Sequence, residues 1–331
     1  MEPKRHHRFD RHAVSQPSQL PDFARLHLPG APLADCICMA VELDTRGLVL
    51  SDAQRFNVSP AIPLPTICWV FSGDLQCVES LDDDAPPRFS PAPARVCVAG
   101  PSSRPTASWS PGPVYALSVA LYPESWSRLL GVAPADWLDV LAPLDALPPS
   151  AARDALARVS ADGTESPFAQ IQAALLPLWR PNHTAAPFGD ATMSGWLRSL
   201  AVRAAFSRAG TSVRQAQRRF RDWTGQSQRE LQLFARLEQA FMLLTQGNAL
   251  ADVAHEAGYS DQSHLGREIK RVTGLSPARF AERVQDDEAF WMYRLLGDHL
   301  EKESRPAPLE AGNDTKTRAR EQRGVKHALN R

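Results

Sequence analysis

The chain has no long apolar run, no apolar stretch near its start, no even set of cysteines and no excess of charge of either sign. Each absence excludes something. Apolar stretches such as the one around 67–71 fall far short of the roughly 20 residues a helix needs to cross a bilayer, so no membrane partner is expected. The first twenty residues are polar and basic, and without an apolar segment there no signal peptide is expected. Five cysteines, an odd number (Cys36, Cys38, Cys68, Cys77 and Cys97), then point to free thiols in a reducing, cytoplasmic compartment. Their spacing matches no zinc pattern and no histidine pair lies near them, so no metal is expected. No phosphate loop, dinucleotide fingerprint or Ser-His-Asp arrangement is present, which leaves no cofactor and no catalytic residue to name.

The absent net charge conceals a segregation. The whole chain balances 37 Lys+Arg against 37 Asp+Glu. Residues 1–185 carry 14 basic and 19 acidic side chains, a difference of −5. Between Gly195 and Arg229 the basic residues are Arg198, Arg203, Arg208, Arg214, Arg218, Arg219, Arg221 and Arg229, against Asp222 alone. Charge runs of this kind serve either a solvated helix face or a polyanionic partner.

Texture divides the chain into parts. From about Ala34 to Leu121, short β-branched and aromatic runs alternate with Pro, Gly, Ser and Asp clusters. The runs at 36–41, 66–71, 96–99 and 114–121 read as strands of a small β-barrel or sandwich. Short helices are expected over 124–130, 135–141, 151–159 and 171–179, a linker over 181–187, and a disordered basic tail beyond about Glu303. The expected fold is α+β: a sensing or dimerisation domain over 1–185, an all-helical module over 186–300, and the tail over 301–331.

An internal repeat is the strongest signal. Arg218, Phe220, Arg221, Thr224, Gly225 and Ser227 recur 49 positions later as Arg267, Ile269, Lys270, Thr273, Gly274 and Ser276. Each copy reads as helix, glycine turn, helix, with Ser212 in the first and Ser260 or Asp261 in the second able to cap the second helix. Ala216, Phe220 and Trp223, and likewise Leu265, Ile269 and Val272, make buried stripes. The opposite faces carry Arg214, Gln215, Gln217, Arg218 and Arg221, then Gln262, Ser263, Arg267 and Lys270. Arg can bond guanine O6 and N7 together, Gln can do the same with adenine N6 and N7, and Ser is permissive. These nine residues are therefore the expected contacts to double-stranded DNA. Arg214 and Arg218, one turn apart, are suited to base edges and Arg221 to phosphate. The apolar period Leu231, Phe234, Leu237, Phe241 and Leu244 predicts a connecting helix of about 27 Å, which could seat two reading helices in major grooves about 34 Å apart. The first copy holds more positive charge and is expected to dominate affinity. The acidic N-terminal half is expected to dock on that basic face and mask it.

The second copy, Leu250 through Leu265 followed by Arg267, Ile269, Lys270, Gly274, Ser276-Pro277 and Phe280, resembles the AraC/XylS family signature. The departures are Leu265 and Ile269 at positions where the family usually has Phe, and Gly266, which shortens the reading face. The first copy is less similar, because its leading helix over 196–206 is atypical. The resemblance implies transcription regulation, with a small-molecule effector or a homodimer formed through the N-terminal half, and RNA polymerase as a further partner. Trp69, Trp109 and Tyr115 are the candidate effector-lining residues, and a strand-domain core is the competing reading of the same aromatics. The alternative function is a thiol-based alkyl-transfer repair enzyme fused to the DNA module. It requires a reactive, positively flanked cysteine.

Overall fold

The computed structural model describes residues 23–79, 87–179, Gly195 and 213–304. The expected linker, leading helix at 196–206, Ser212 cap and the tail beyond 304 lie outside the described residues.

Ten strands are present among the described residues: β1 (Ala24–His27), β2 (Ile37–Asp44), β3 (Phe56–Ser59), β4 (Thr66–Ser72), β5 (Gln76–Val78), β6 (Phe89–Pro91), β7 (Val96–Ala99), β8 (Thr106–Trp109), β9 (Tyr115–Leu121) and β10 (Leu141–Pro143). They form a six-stranded sheet ordered β1-β2-β9-β4-β7-β10 and a four-stranded sheet ordered β3-β8-β5-β6. Neighbouring strands run antiparallel, with Cys68 opposite Cys97 and Trp69 opposite Leu117. Helices α1 (Pro123–Leu130), α2 (Ala151–Leu156) and α3 (Pro167–Leu175) follow.

Period-two alternation gives the large sheet two apolar faces. Ile67, Trp69, Leu117, Val119 and Leu121 share one core with Trp126, Leu130, Leu156 and Ile171 of the three helices. Burial of such side chains contributes roughly 1.5–3 kcal/mol each. Val70 and Ala116 point the other way, as do Cys38 and Ala120, and side chains from the second half of the chain cover that face.

The helix expected over 135–141 is not formed. A 3-10 turn spans Pro134–Trp137, and the chain then extends into β10. Asp139 breaks the helix. It takes a left-handed φ of 58°, and its carboxylate accepts the Ser103 N–H at 2.7 Å and hydroxyl at 2.6 Å. The helix expected over 171–179 begins earlier, at Pro167, where Ser166 caps it through the Ala169 N–H.

The second half is helical: α4 (Val213–Thr224), α5 (Gln228–Thr245), α6 (Leu250–Glu256), α7 (Gln262–Thr273), α8 (Pro277–Asp286) and α9 (Trp291–Ser304). The apolar period at 231–244 is α5. Helix α9 was not anticipated. Its Trp291 and Leu295, one turn apart, enter the open face of the large sheet beside Ala24, Leu43, Val70, Val114 and Ala116. The Trp291 indole N–H donates to Asn57 Oδ1 at 2.9 Å in a buried site. On the same helix, Tyr293 packs with Phe280 of α8 and Phe241 of α5. Val58, Ala61 and Ala107 of the small-sheet region complete that helical core.

Candidate nucleic-acid interface

The repeat reappears as one hydrogen-bond pattern used twice. At the end of α4, Thr224 Oγ1 lies 2.8 Å from the Phe220 carbonyl and accepts the Gln226 N–H at 3.3 Å. At the end of α7, Thr273 Oγ1 lies 2.8 Å from the Ile269 carbonyl and accepts the Leu275 N–H at 3.1 Å. Gly225 and Gly274 then turn left-handed, at φ 77° and 75°, and their N–H groups return to Arg221 and Lys270. A side-chain Cβ strains that conformation, which is why both copies place glycine there. Ser227 starts α5 with a reciprocal capping box: its hydroxyl accepts the Glu230 N–H, while the Glu230 carboxylate accepts the Ser227 N–H at 2.8 Å. Those Ser227 contacts and nearby Arg271 hold the Glu230 carboxyl below the usual carboxylate range.

In the second unit the turn glycine is Gly258, at φ 73°. Asp261, the second of the two expected caps, closes α7 by accepting the His264 N–H at 2.7 Å. That bond lowers its carboxyl pKa. Leu265, Ile269 and Val272 are buried at 0%, 0% and 2% exposure, so the opposite face is turned outward. Gln262, Ser263, Arg267 and Lys270 are exposed on it. Gly266 follows Gln262 by one turn and precedes Lys270 by one turn, and it carries no side chain. A Cβ there would meet Pro277 Cγ at 3.5 Å, an ordinary contact.

In the first unit Phe220 is buried and Trp223 half-buried, while Gln215, Gln217, Arg218 and Arg221 are exposed. Arg214 lies on the same helix, but its side chain is outside the described set. The N-terminal half does meet α4. The contact is apolar: Phe220 and Leu231 pack on Cys38, Leu64, Ala120 and Tyr122. The end of α4 meets the 3-10 turn at Pro134–Trp137. Apolar surface drives the docking because its burial is favourable whatever the charge pattern, and Arg218 and Arg221 stay exposed.

The three aromatics offered for an effector sit in separate surroundings. Trp69 is 1% exposed, and its indole N–H donates to the Leu156 carbonyl. Tyr115 donates its hydroxyl to Glu42 at 2.9 Å beneath the Arg46 guanidinium. Trp109 packs on Phe56 and Phe89 of the small sheet. A cavity of about 330 Å³ opens elsewhere, beside Val70, Leu75, Pro91, Arg95 and Pro111. Burial disfavours the thiolate that the repair-enzyme alternative requires. Burial pushes the Cys36 and Cys38 thiols up to about 12 and Cys68 to about 11, and it raises Cys77 and Cys97 as well. Among the described residues no group of three or more His, Cys, Asp or Glu could hold a metal ion, and no helix is long and apolar enough to cross a membrane.

Sequence reasoning missed a polar cluster behind α7, formed by Arg236, Tyr259, His264 and Glu268. It carries no periodic signature, because its members come from α5, the turn and α7.

Residues 206–283 match the family described as a helix-turn-helix domain. No curated protein matches the chain. Solved structures of ToxT from Vibrio cholerae are similar at low identity. One from strain O395 is 13% identical, covering 70% of this chain and 95% of that one with a TM-score of 0.33. Another, at 1.65 Å, is 11% identical, covering 78% and 97% with a TM-score of 0.32. A third, described as bound to an unsaturated fatty acid, is 12% identical, covering 80% and 96% with a TM-score of 0.31. Residues 206–283 are a helix-turn-helix domain of the AraC type, and both copies of the repeat lie within them.

Proposed function

We propose that this regulator binds a specific duplex sequence by placing α4 and α7 in successive major grooves, and that its N-terminal half controls how α4 is presented. The observation that carries the reading is the repeated Thr-Gly lock. It ends two helices whose outward faces bear Gln215, Gln217, Arg218 and Arg221 in one copy, and Gln262, Ser263, Arg267 and Lys270 in the other. Arg214 and Arg218 are assigned to base edges, Arg221 and Lys270 to phosphates, and Gln262, Ser263 and Arg267 to the second sub-site. The first unit supplies most of the affinity, because its surrounding stretch holds eight basic residues to one acidic.

The N-terminal half is the part on which an effector or a second copy would act. Support comes from its apolar contact with Phe220 and Leu231 and from the seat of Trp291 on the large sheet. A ligand bound there shifts DNA binding only if it favours one packing of these contacts over another. RNA polymerase is the partner such a regulator addresses at a promoter.

The test is binding of the full chain to a randomised duplex library across a salt series. The reading requires sequence preference together with affinity that falls as salt rises, since each neutralised phosphate releases counterion. Absence of preference, or binding indifferent to salt, would overturn it.

A further inference from the structure

Helix α7 has three stripes. One is buried (Leu265, Ile269, Val272), and one faces outward (Gln262, Ser263, Arg267, Lys270). The third, on the flank, carries His264, Glu268 and Arg271, and each of its members meets a charged partner. Arg236 of α5 places one terminal guanidinium nitrogen 3.1 and 3.2 Å from the two Glu268 carboxylate oxygens. The Glu268 side chain is only 18% exposed. His264 Nε2 lies 3.4 Å from Glu268 Oε1, and His264 Nδ1 lies 3.3 Å from Ser260 Oγ in the turn. The His264 ring meets Tyr259 edge-on at 5.3 Å, and Arg236 lies over the Tyr259 ring at 5.2 Å. Nearer the C-terminal end of α7, Arg271 reaches Glu230 of α5 at 3.7 Å.

Apolar packing is non-directional, so the buried stripe holds α7 against its neighbours but resists a roll about its own axis only weakly. The charge-assisted bonds of the flank are directional. A roll of 10° moves a side chain about 5–6 Å from the axis by about 1 Å, beyond the roughly 0.5 Å that a functional constellation tolerates. Within the chain, Glu268 follows Arg267 and His264 follows Ser263, so the flank ties sit directly beside two outward residues.

We propose that Arg236 and Glu268 are positioning residues that set the base preference of the second sub-site without touching a base. The proposal rests on the reading of α7 as a DNA-reading helix. It separates from a plain charge effect by sign. Glu268 is an anion beside a surface that faces phosphates, so removing it should tighten binding to every duplex if electrostatics alone operates. Loss of a positioning contact instead erases preference at one sub-site. The first copy has Arg219 where the second has Glu268, so the two copies differ in charge at that position.

The experiment uses the full chain on a randomised duplex library and reads the ratio of preferred to disfavoured bases at each sub-site. Both are measured in one competition, so the ratio does not depend on the folded fraction. Wild-type preference at two sub-sites establishes the parent reading, and failure at that stage tells against α7 as a reader. Given two sub-sites, Glu268→Ala and Arg236→Ala should each lower the preference ratio at the second by at least about fivefold, the low end of one base contact. The first sub-site should be unchanged. The exchange Arg236→Glu with Glu268→Arg should restore the ratio, whereas Arg267→Ala, which removes a direct contact, is not restored in that background. Retention of the second-site ratio in Glu268→Ala overturns the proposal, as does failure of the exchange to restore it.

Discussion

The two copies of the repeat end in the same turn yet rest on different parts of the molecule. Helix α7 is seated mainly among helices: Leu265, Ile269 and Val272 share a core with α5, α6 and α8, which Val58, Ala61 and Ala107 of the small-sheet region complete, and Arg236 ties its flank. Helix α4 meets the N-terminal half. Phe220 packs with Cys38, Leu64, Ala120 and Tyr122, and Gly225 lies against the backbone of Pro134 and Ala135. A repeated sequence therefore repeats its local hydrogen bonds but not its tertiary partners. The consequence is directional: a change in the N-terminal half reaches α4 by contact, whereas α7 is reached through α9 and the shared helical core.

Large-to-small substitution in the buried stripes breaks this comparison most forcefully. Phe220→Ala should cost about 3–5 kcal/mol and Ile269→Ala about 2–5 kcal/mol. The distinguishing readout is the alkylation rate of Cys38, whose thiol burial pushes to about 12. Phe220→Ala should speed it, because the two side chains share one cluster, and Ile269→Ala should leave it slow. Equal rates in the two variants would remove the distinction between the units.

A smaller and sharper contrast lies at the paired glycines. Left-handed backbone costs a non-glycine residue about 1–2 kcal/mol at either place. At Gly225 an added Cβ would also come within 2.9 Å of Ala135 N and Pro134 C, whereas at Gly274 it would find only Pro105 Cγ at 4.0 Å. Gly225→Ala should therefore destabilise the full chain by a further 1–3 kcal/mol or so, as overpacking does. Chemical denaturation of the two variants measures the difference, and equal losses would mean that α4 does not rest on that turn.

The paired serines give the smallest effect. Ser227 makes a capping box, whereas Ser276 makes no side-chain cap bond. Ser227→Ala should cost about 1 kcal/mol and Ser276→Ala markedly less. Because the folded Glu230 carboxyl lies below its usual range, its contribution is present above the usual carboxylate pKa and fades as pH falls through the lowered value. Ser227→Ala should flatten that part of the acid limb of a stability–pH curve. An unchanged acid limb would remove the capping box from the account.

Local features of both halves were legible because they depend on neighbours in sequence. The 49-residue repeat, the period of α5 and the short β-branched runs announced α4 and α7, the connector and four principal strands. Features that depend on distant partners were hidden. Trp291 gave no sign that it enters the sheet and bonds Asn57, 234 positions away. Asp139 looked helical until Ser103 drew it into a left-handed turn. The charge difference between the halves suggested an acid-on-base dock, but apolar burial at Phe220 and Leu231 decided the contact. For Trp69 the sequence left effector lining and strand core open, and its burial with a bond to the Leu156 carbonyl places it in the core.

The most direct test of two separate readers is the base preference of the full chain on a randomised duplex library, compared for wild type, Arg218→Ala, Arg267→Ala and Arg221→Ala. The account predicts two sub-sites with centres about 34 Å apart along the duplex. Arg218→Ala should relax one of them, Arg267→Ala should relax the other, and Arg221→Ala should weaken all sequences alike while flattening the salt dependence. If Arg218→Ala and Arg267→Ala relaxed the same bases, or left every preference intact, the assignment of α4 and α7 as independent reading helices would be contradicted.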